Sequence, residues 1–291
     1  MRNYFVGVFL AALFPFIVGF SDALPDKNSG QVAVNETVLF PQSQLFYPPM
    51  ANPKEPRTHI TYLRLNLPSD SINIGSVGFG DSFGLVRWPG WGEEDAWQVS
   101  ISGGVLAQFN MDASSMDLVN ADYIIGIPIS YRNGPWSARV RIFHQSSHLG
   151  DEFLLQPQNP ELKVTRLNLS FETIEMLGAW EWEGLQFTAG PSYILHTYSD
   201  LKRHSVQAGI DYQSRRPFLT PTIRLFTSVL YHAWEETDWN RDVNVKAGVN
   251  IRSAEKRAVQ IFGEYYHGNL PFGQFYKLRG RYYGAGVNVS F

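Results

Sequence analysis

Apolar and polar positions alternate with a period of two along most of this chain. Trp97, Val99, Ile101, Val105 and Ala107 share one parity, and Gln98, Ser100, Ser102 and Gln108 share the other. The same alternation runs from Tyr123 to Tyr131, Val206 to Gln213, Val243 to Arg252 and Val259 to Tyr266. Successive side chains of a strand point to opposite faces, so each run predicts a strand with one apolar and one polar face. The pattern predicts twelve strands, near 59–67, 72–80, 95–108, 121–132, 136–148, 165–182, 184–197, 203–213, 220–233, 242–253, 257–268 and 280–291. The first two alternate most weakly, so ten strands or a longer second strand also fit.

A soluble sandwich alternates in the same way, so other features must decide. The segments run about ten to thirteen residues, against five or six for an ordinary globular strand, and this approaches a bilayer-spanning length. Aromatic residues gather at segment ends (Trp97, Tyr123, Tyr131, Tyr212, Tyr231, Tyr265), as an interfacial girdle requires. In the last segment Tyr283, Ala285, Val287, Val289 and Phe291 alternate with Tyr282, Gly284, Gly286, Asn288 and Ser290. If Phe291 ends on the periplasmic side, short turns fall there: Arg132 to Pro135, Glu183-Gly184, Ser214 to Leu219 and Ser253 to Arg257. The longer loops 109–120, 149–164, 232–241 and 269–279 then face outward. That asymmetry is the one bacterial outer-membrane barrels show. The expected fold is therefore all-β, a transmembrane antiparallel up-and-down barrel of about twelve strands.

The N-terminus predicts export. Arg2 precedes an apolar run from Phe5 to Phe20, and Ser21-Asp22-Ala23 gives a small–x–small cleavage pattern. A signal peptide over 1–23, cut near Ala23, is expected rather than a retained anchor, because the run is short for a spanning helix. Residues 24–58 are rich in Pro and Asn and form either a periplasmic segment or a piece entering the lumen, ahead of a barrel over 59–291. The chain has 291 residues, no Cys and a net charge of -3. These values exclude disulfides, thiolate metal sites, a lipidated N-terminal cysteine and an electrostatic footprint for nucleic acid.

Candidate chemistry lies on the fifth segment, Trp136 to Glu152. Parity puts Trp136, Ala138, Val140, Ile142, His144, Ser146 and His148 on one face, and Arg139 and Arg141 on the other. If the arginines face the lumen, His144, Ser146 and His148 point toward lipid near the outer rim. His144 and Ser146 are about 7 Å apart by strand rise. Imidazole beside hydroxyl is the minimum for an activated serine. The plainer reading makes these three rim residues that hydrogen-bond lipopolysaccharide sugars or loop backbone. A metal reading, His144 with His148 plus Asp151 or Glu152, is the weakest of the three, since the two histidines lie about 13 Å apart, too far for one zinc ion.

This His-x-Ser on an outward strand resembles outer-membrane phospholipase A, itself twelve-stranded, and the lipid A 3-O-deacylase barrel. That resemblance implies Ser146 as nucleophile and His144 as base. The phospholipase orients its histidine with an Asn on the neighbouring strand. Asn168 is the nearest counterpart, but with Leu167, Leu169 and Phe171 outward it turns inward; Asp151, Glu152 and Asn159 are the loop alternatives. A closing strand ending in Phe resembles the signal read by the barrel-assembly machinery. The stretches GDSFGLVRW (80–88), AQFNMDASSMDLVNADY (107–123), HQSSHLGDEF (144–153) and GQFY (273–276) resemble a bacterial family catalogued as domain of unknown function twelve-oh-seven. It implies an outer-membrane barrel with no established activity, in contact with outer-membrane lipids and lipopolysaccharide.

The lumen supplies a second function class. Arg139, Arg141, Arg166, Arg224, Lys246 and Arg252 are expected to point inward beside Glu172, Asp211 and Glu264. Such an excess of basic charge would select anions in a pore, unless it forms an internal salt-bridge network. Large inward residues such as Phe143, Phe226, Phe262 and Tyr266 favour a plug. A purely structural envelope barrel is the third class. No cofactor is expected, apart from a weak calcium reading of the acidic loop Glu235, Glu236, Asp238 and Asp242. Gly80-Asp81-Ser82 is no nucleophile elbow, because no helix follows it, and glycines 75, 78, 80 and 84 are no phosphate loop.

Overall fold

A computed structural model describes residues 36–68, 70–92, 94–155, 166–252 and 258–290. The expected signal peptide, Asn159, the turn from Ser253 to Arg257 and Phe291 lie outside the described residues.

The strands are β1 (Val38–Leu39), β2 (Thr58–Asn66), β3 (Ser71–Pro89), β4 (Asp95–Asn110), β5 (Leu118–Asn133), β6 (Trp136–Leu149), β7 (Leu169–Trp182), β8 (Leu185–Thr197), β9 (His204–Gln213), β10 (Ile223–Trp234), β11 (Asp242–Arg252), β12 (Ala258–Asn269) and β13 (Arg279–Ser290). One short helix, α1 (Asp151–Leu155), follows β6. Each of β2 to β13 pairs antiparallel with its sequence neighbour, and β13 pairs back onto β2. The result is a closed twelve-stranded barrel, with β1 as a short extra strand on the far end of β3. Closure leaves no open edge, the condition for backbone groups in a bilayer.

Eleven of the twelve strands lie within a few residues of their expected segments. The exception is β3, which continues to Pro89 rather than stopping at residue 80. Asp81, Ser82 and the glycines break the apolar rhythm, yet Val77, Phe79, Phe83 and Leu85 keep one exposed parity through the gap. The two-residue turns at Gly134-Pro135 and Glu183-Gly184 suit hairpins, with Gly134 at φ 52° and Glu183 and Gly184 at φ 49° and 84°.

The outside carries an apolar belt. Ile125, Ile127 and Ile129 on β5 and Val140 and Ile142 on β6 are all exposed. Near the short turns the belt ends in aromatic clusters. Trp97 packs on Tyr131 at 4.8 Å, and Trp180 lies near Trp136, Trp182 and Phe187. Toward the long loops it ends in Tyr62, Tyr123, Tyr193, Tyr265 and Tyr283, all exposed. Two aromatic rims around an apolar band are the interface anchors of a transmembrane barrel.

The lumen is filled, not open. From Pro41 to Arg57 the chain runs through it, bonded to the walls. Met50 N–H donates to Asp211 at 2.8 Å, Ala51 N–H to Ser228, and Asn244 Nδ2 to the Ala51 carbonyl. Lys54 pairs with Asp122. At the long-loop end the β12–β13 loop folds inward. Gly273 N–H donates to Asp122 and Gln274 Nε2 to the Ser147 carbonyl, while Leu270, Phe272 and Phe275 join a buried apolar cluster with Leu63, Leu65 and Tyr282.

Candidate functional site

β6 alternates strictly between buried and exposed residues over its first seven positions. Ser137, Arg139 and Arg141 are buried, while Trp136, Ala138, Val140 and Ile142 are exposed on the lipid face. His144, Ser146 and His148 continue that outward parity toward the long-loop rim. From Trp136 to His144 the strand climbs about 26 Å, or about 20 Å of membrane depth at a tilt near 40°. His144 therefore sits at the upper edge of the apolar belt.

His144 has a carboxylate partner, and it is none of the expected ones. Nδ1 of His144 lies 2.9 Å from Oε1 of Glu172, directly across the β6–β7 ladder. Oε2 of the same carboxylate lies 2.9 Å from Nδ1 of His196 on β8. A bulge creates this bridge. The β7–β8 register shifts between Glu172 and Thr173, so Thr173 pairs with Ile194 and Glu172 with His196. Leu195 and His196 then both face outward against one residue of β7, which re-aims His196 toward Glu172. The three side chains are 37–59% exposed. Ser146 stands across from Tyr123 and Ser170. His144 and Ser146 are not hydrogen-bonded to each other; the Nδ1 contact leaves Nε2 as the nitrogen available to a hydroxyl.

Several expected positions need correction. Glu172 faces lipid, not lumen, because the parity of β7 is the reverse of the expected one. Leu169, Thr173, Glu175, Leu177 and Ala179 are the buried residues. The upper lumen is apolar, and Leu167, Leu169 and Phe171 pack into it with Ile194, Leu201 and Tyr276. Leucines at the rim thus mark the inside. Arg166 is exposed in the loop before β7 and Asn168 precedes the strand, so neither projects into the lumen. Asp151 and Glu152 are exposed at the start of α1 and are not the partners of His144. Glu172 and His196 were both missed. The available signal was the lower half of β7, where Ile174, Met176 and Trp180 set the outward parity.

Several of the inward charges are paired with one another. Arg139 donates to Glu55 through both terminal nitrogens, at 2.7 and 3.0 Å, and to Glu175 at 2.8 Å. Arg141 lies 3.4 Å from Glu55 and 3.3 Å from Glu175. Lys246 pairs with Glu264 at 3.6 Å, and Asp211 accepts from the plug. Arg224 is inward, its Nη1 without a hydrogen-bond partner among the described residues, and Arg252 is exposed at the short-turn end, near Gln213. A cavity of about 40 Å³ remains, bordered by Glu55, His59, Gln108, Lys246 and Glu264.

Among the described residues, no group of three or more acidic, His or Cys side chains is placed to hold a metal ion. The acidic loop is occupied otherwise. Glu235 accepts from His204, and this bond holds its carboxyl below the usual range. Glu236 accepts from Lys202 N–H and pairs with Lys277, while Asp242 accepts from Asn269 N–H.

No curated protein matches this sequence. Among solved structures, the outer membrane phospholipase dimer of Salmonella typhi with bound calcium is 13% identical. The match covers 82% of this chain and 93% of that one, at a TM-score of 0.48. Outer membrane phospholipase A of Escherichia coli is 12% identical over 79% of this chain and 92% of that one, at 0.49. An anion-selective porin of Comamonas acidovorans is 9% identical over 80% and 94%, at 0.34. The family model described as Protein of unknown function (DUF1207) matches residues 20–291, and the chain belongs to that family.

Proposed function

We propose that this protein is an outer-membrane barrel that hydrolyses acyl esters of outer-leaflet lipid, with Ser146 as nucleophile, His144 as general base and Glu172 as the group that holds the imidazole. The observation that carries this reading is the 2.9 Å contact from His144 Nδ1 to Glu172 on the lipid face, beside Ser146. A carboxylate on Nδ1 fixes the tautomer that leaves Nε2 free to accept a proton, and it stabilises the imidazolium that forms. Ser146 Oγ then attacks the ester carbonyl as its proton passes to Nε2. The alcohol leaves with that proton, and water, deprotonated by the same nitrogen, releases the fatty acid from the acyl-serine.

Position supports the same reading. Lipid esters lie at the boundary between hydrocarbon and headgroup, the depth argued above for His144. A bridge of two histidines and a carboxylate is also an expensive group to place on a lipid face without a use for it. The short-turn and long-loop asymmetry supports an outer-membrane location with this rim facing the exterior. The anion-pore reading has less support, since Arg139 and Arg141 are paired with Glu55 and Glu175, Lys246 with Glu264, and the chain fills the space.

The test is fatty-acid release from phospholipid and lipid A by the refolded barrel, wild type against Ser146→Ala and His144→Ala. Turnover lost in both variants, with heat-modifiable migration intact, supports the assignment. Turnover that survives Ser146→Ala, or none in the folded wild type on either lipid, overturns it.

A further inference from the structure

On the wall opposite β6 to β8, the long-loop rim of β2, β12 and β13 carries a different set of outward residues. Here the apolar belt of Ile60, Val287 and Ile261 ends in Tyr62, Tyr283 and Tyr265, and basic groups stand directly above. Arg64 lies across the ladder from Tyr283, and Arg281 lies between Asn66 and His267. Arg279, one outward step higher, lies opposite Asn269. Neighbouring outward positions on one strand are about 7 Å apart, and diagonal ones on adjacent strands about 7–8 Å. Three guanidinium groups can therefore converge on a single oxyanion.

Their partners inside the protein are few. Arg64 donates to Ser71 Oγ and, among the described residues, has one distant carboxylate, Asp112 at 4.0 Å, which also accepts two closer bonds from Asn73. Among the described residues no carboxylate lies within ion-pairing distance of Arg279 or Arg281. Both are exposed, whereas Asp242, the nearest acid on β11, is buried and accepts from Asn269 N–H. In a chain of net charge -3, three arginines rising in successive outward steps from a lipid-facing wall, two of them with no carboxylate partner among the described residues, are a local reversal of sign.

We propose that Arg64, Arg279 and Arg281 form a binding site for the phosphate of a lipid in the surrounding leaflet. A guanidinium matches a phosphate bidentately, and an arginine anchored at the belt edge extends its head to headgroup level. The tyrosine row beneath suits the chains: amphipathic rings at the interface pack the upper acyl segment while the arginines hold the headgroup. The site commits to membrane-anchored phosphate rather than free phosphate, because the basic groups rise directly from a lipid-covered surface. It does not depend on the chemistry of Ser146.

Native mass spectrometry of the full-length folded barrel, released from micelles holding equal phosphatidylcholine and phosphatidic acid, tests this. Wild type is expected to retain phosphatidic acid in preference, and Arg279→Gln/Arg281→Gln to weaken that preference about thirtyfold. Arg252→Gln, at the other end of the barrel, serves as the control for loss of an exposed arginine away from the site and leaves the preference intact. Inorganic phosphate at equal concentration should not displace the lipid. Equal lipid retention by wild type and the double variant, an equal loss in the Arg252→Gln control, or displacement by inorganic phosphate would each overturn the proposal. Heat-modifiable migration establishes that each variant is folded, and Arg279→Lys/Arg281→Lys should recover part of the preference.

Discussion

Glu55 is the residue whose replacement tests the filled lumen most sharply. Its carboxylate accepts from Arg139 at 2.7 and 3.0 Å and lies 3.4 Å from Arg141, and all three side chains are at most 6% exposed. With Glu175, the set contains two arginines and two glutamates and sums to zero charge. Glu55→Gln keeps the shape and leaves one positive charge unmatched in a space closed to solvent. Removing one partner of a buried ion pair costs about 3–5 kcal/mol, mostly because the remaining charge stays desolvated.

The loss should appear in two readouts. The urea midpoint of the refolded barrel should fall by the corresponding amount. The segment from Pro41 to Arg57 should also leave the wall, so that Lys54 and Arg57 become cleavable by trypsin while the strands remain protected. A double variant separates charge from packing. Glu55→Leu/Arg139→Met removes a cation with the anion and leaves Arg141 with Glu175, so most of the stability should return. A cost below about 1 kcal/mol for Glu55→Gln, or a double variant no better than the single one, would refute the account of a neutral, desolvated quartet.

Gly273→Ala should open the lumen mouth, because a Cβ there would lie 1.8 Å from Ser147 Oγ and 2.1 Å from Asp122 Oδ1; faster amide exchange over 270–278 would register it. In planar bilayers the intact chain should pass no steady current, and conductance steps that shrink in Arg139→Gln would contradict the plugged lumen. If the serine assignment holds, Glu172→Gln should lower acyl-ester turnover by about 10²- to 10⁴-fold, with a smaller loss for His196→Ala. The Glu235 contact should respond to acid in a defined direction. Because His204 holds that carboxyl below its usual range, its stabilisation is complete above the unfolded value of about 4.3 and fades as pH falls through the lower folded one. The difference in melting temperature between wild type and Glu235→Gln should therefore vanish in acid and be full at neutral pH.

What was legible in the sequence follows one rule: alternation is readable where the two faces meet different media. Along β4, β5, β11 and β12 the outside meets hydrocarbon and the inside meets polar side chains and the bonded plug. Apolar residues there mark lipid without ambiguity, and the expected strand limits lie within a few residues of the observed ones. The rule inverts at the long-loop rim. There the outside rises out of the belt and can be polar, while the inside is sealed by Leu270, Phe272 and Phe275. Leu169 and Phe171 read as lipid-facing by the belt's rule and are lumen residues by the rim's.

That inversion is why the belt's rule puts Glu172 on the wrong face and points to the following loop for the partner of His144. Parity is a property of the whole strand, so the assignment had to come from Ile174, Met176 and Trp180, which lie deep enough to touch only lipid. Set from there, Glu172 falls on the face of His144 with no further assumption, and the ladder places the two directly opposite. His196 is different in kind. It reaches Glu172 only because a bulge adds one residue to β8, and the break in alternation that the bulge makes falls at Leu195 and His196, where too little strand follows to read a new parity. The inner ion quartet was half legible. Arg139 and Arg141 declare a charged lumen, but Glu55 arrives from a segment without periodicity, and its partners are set by the path of the plug through the barrel.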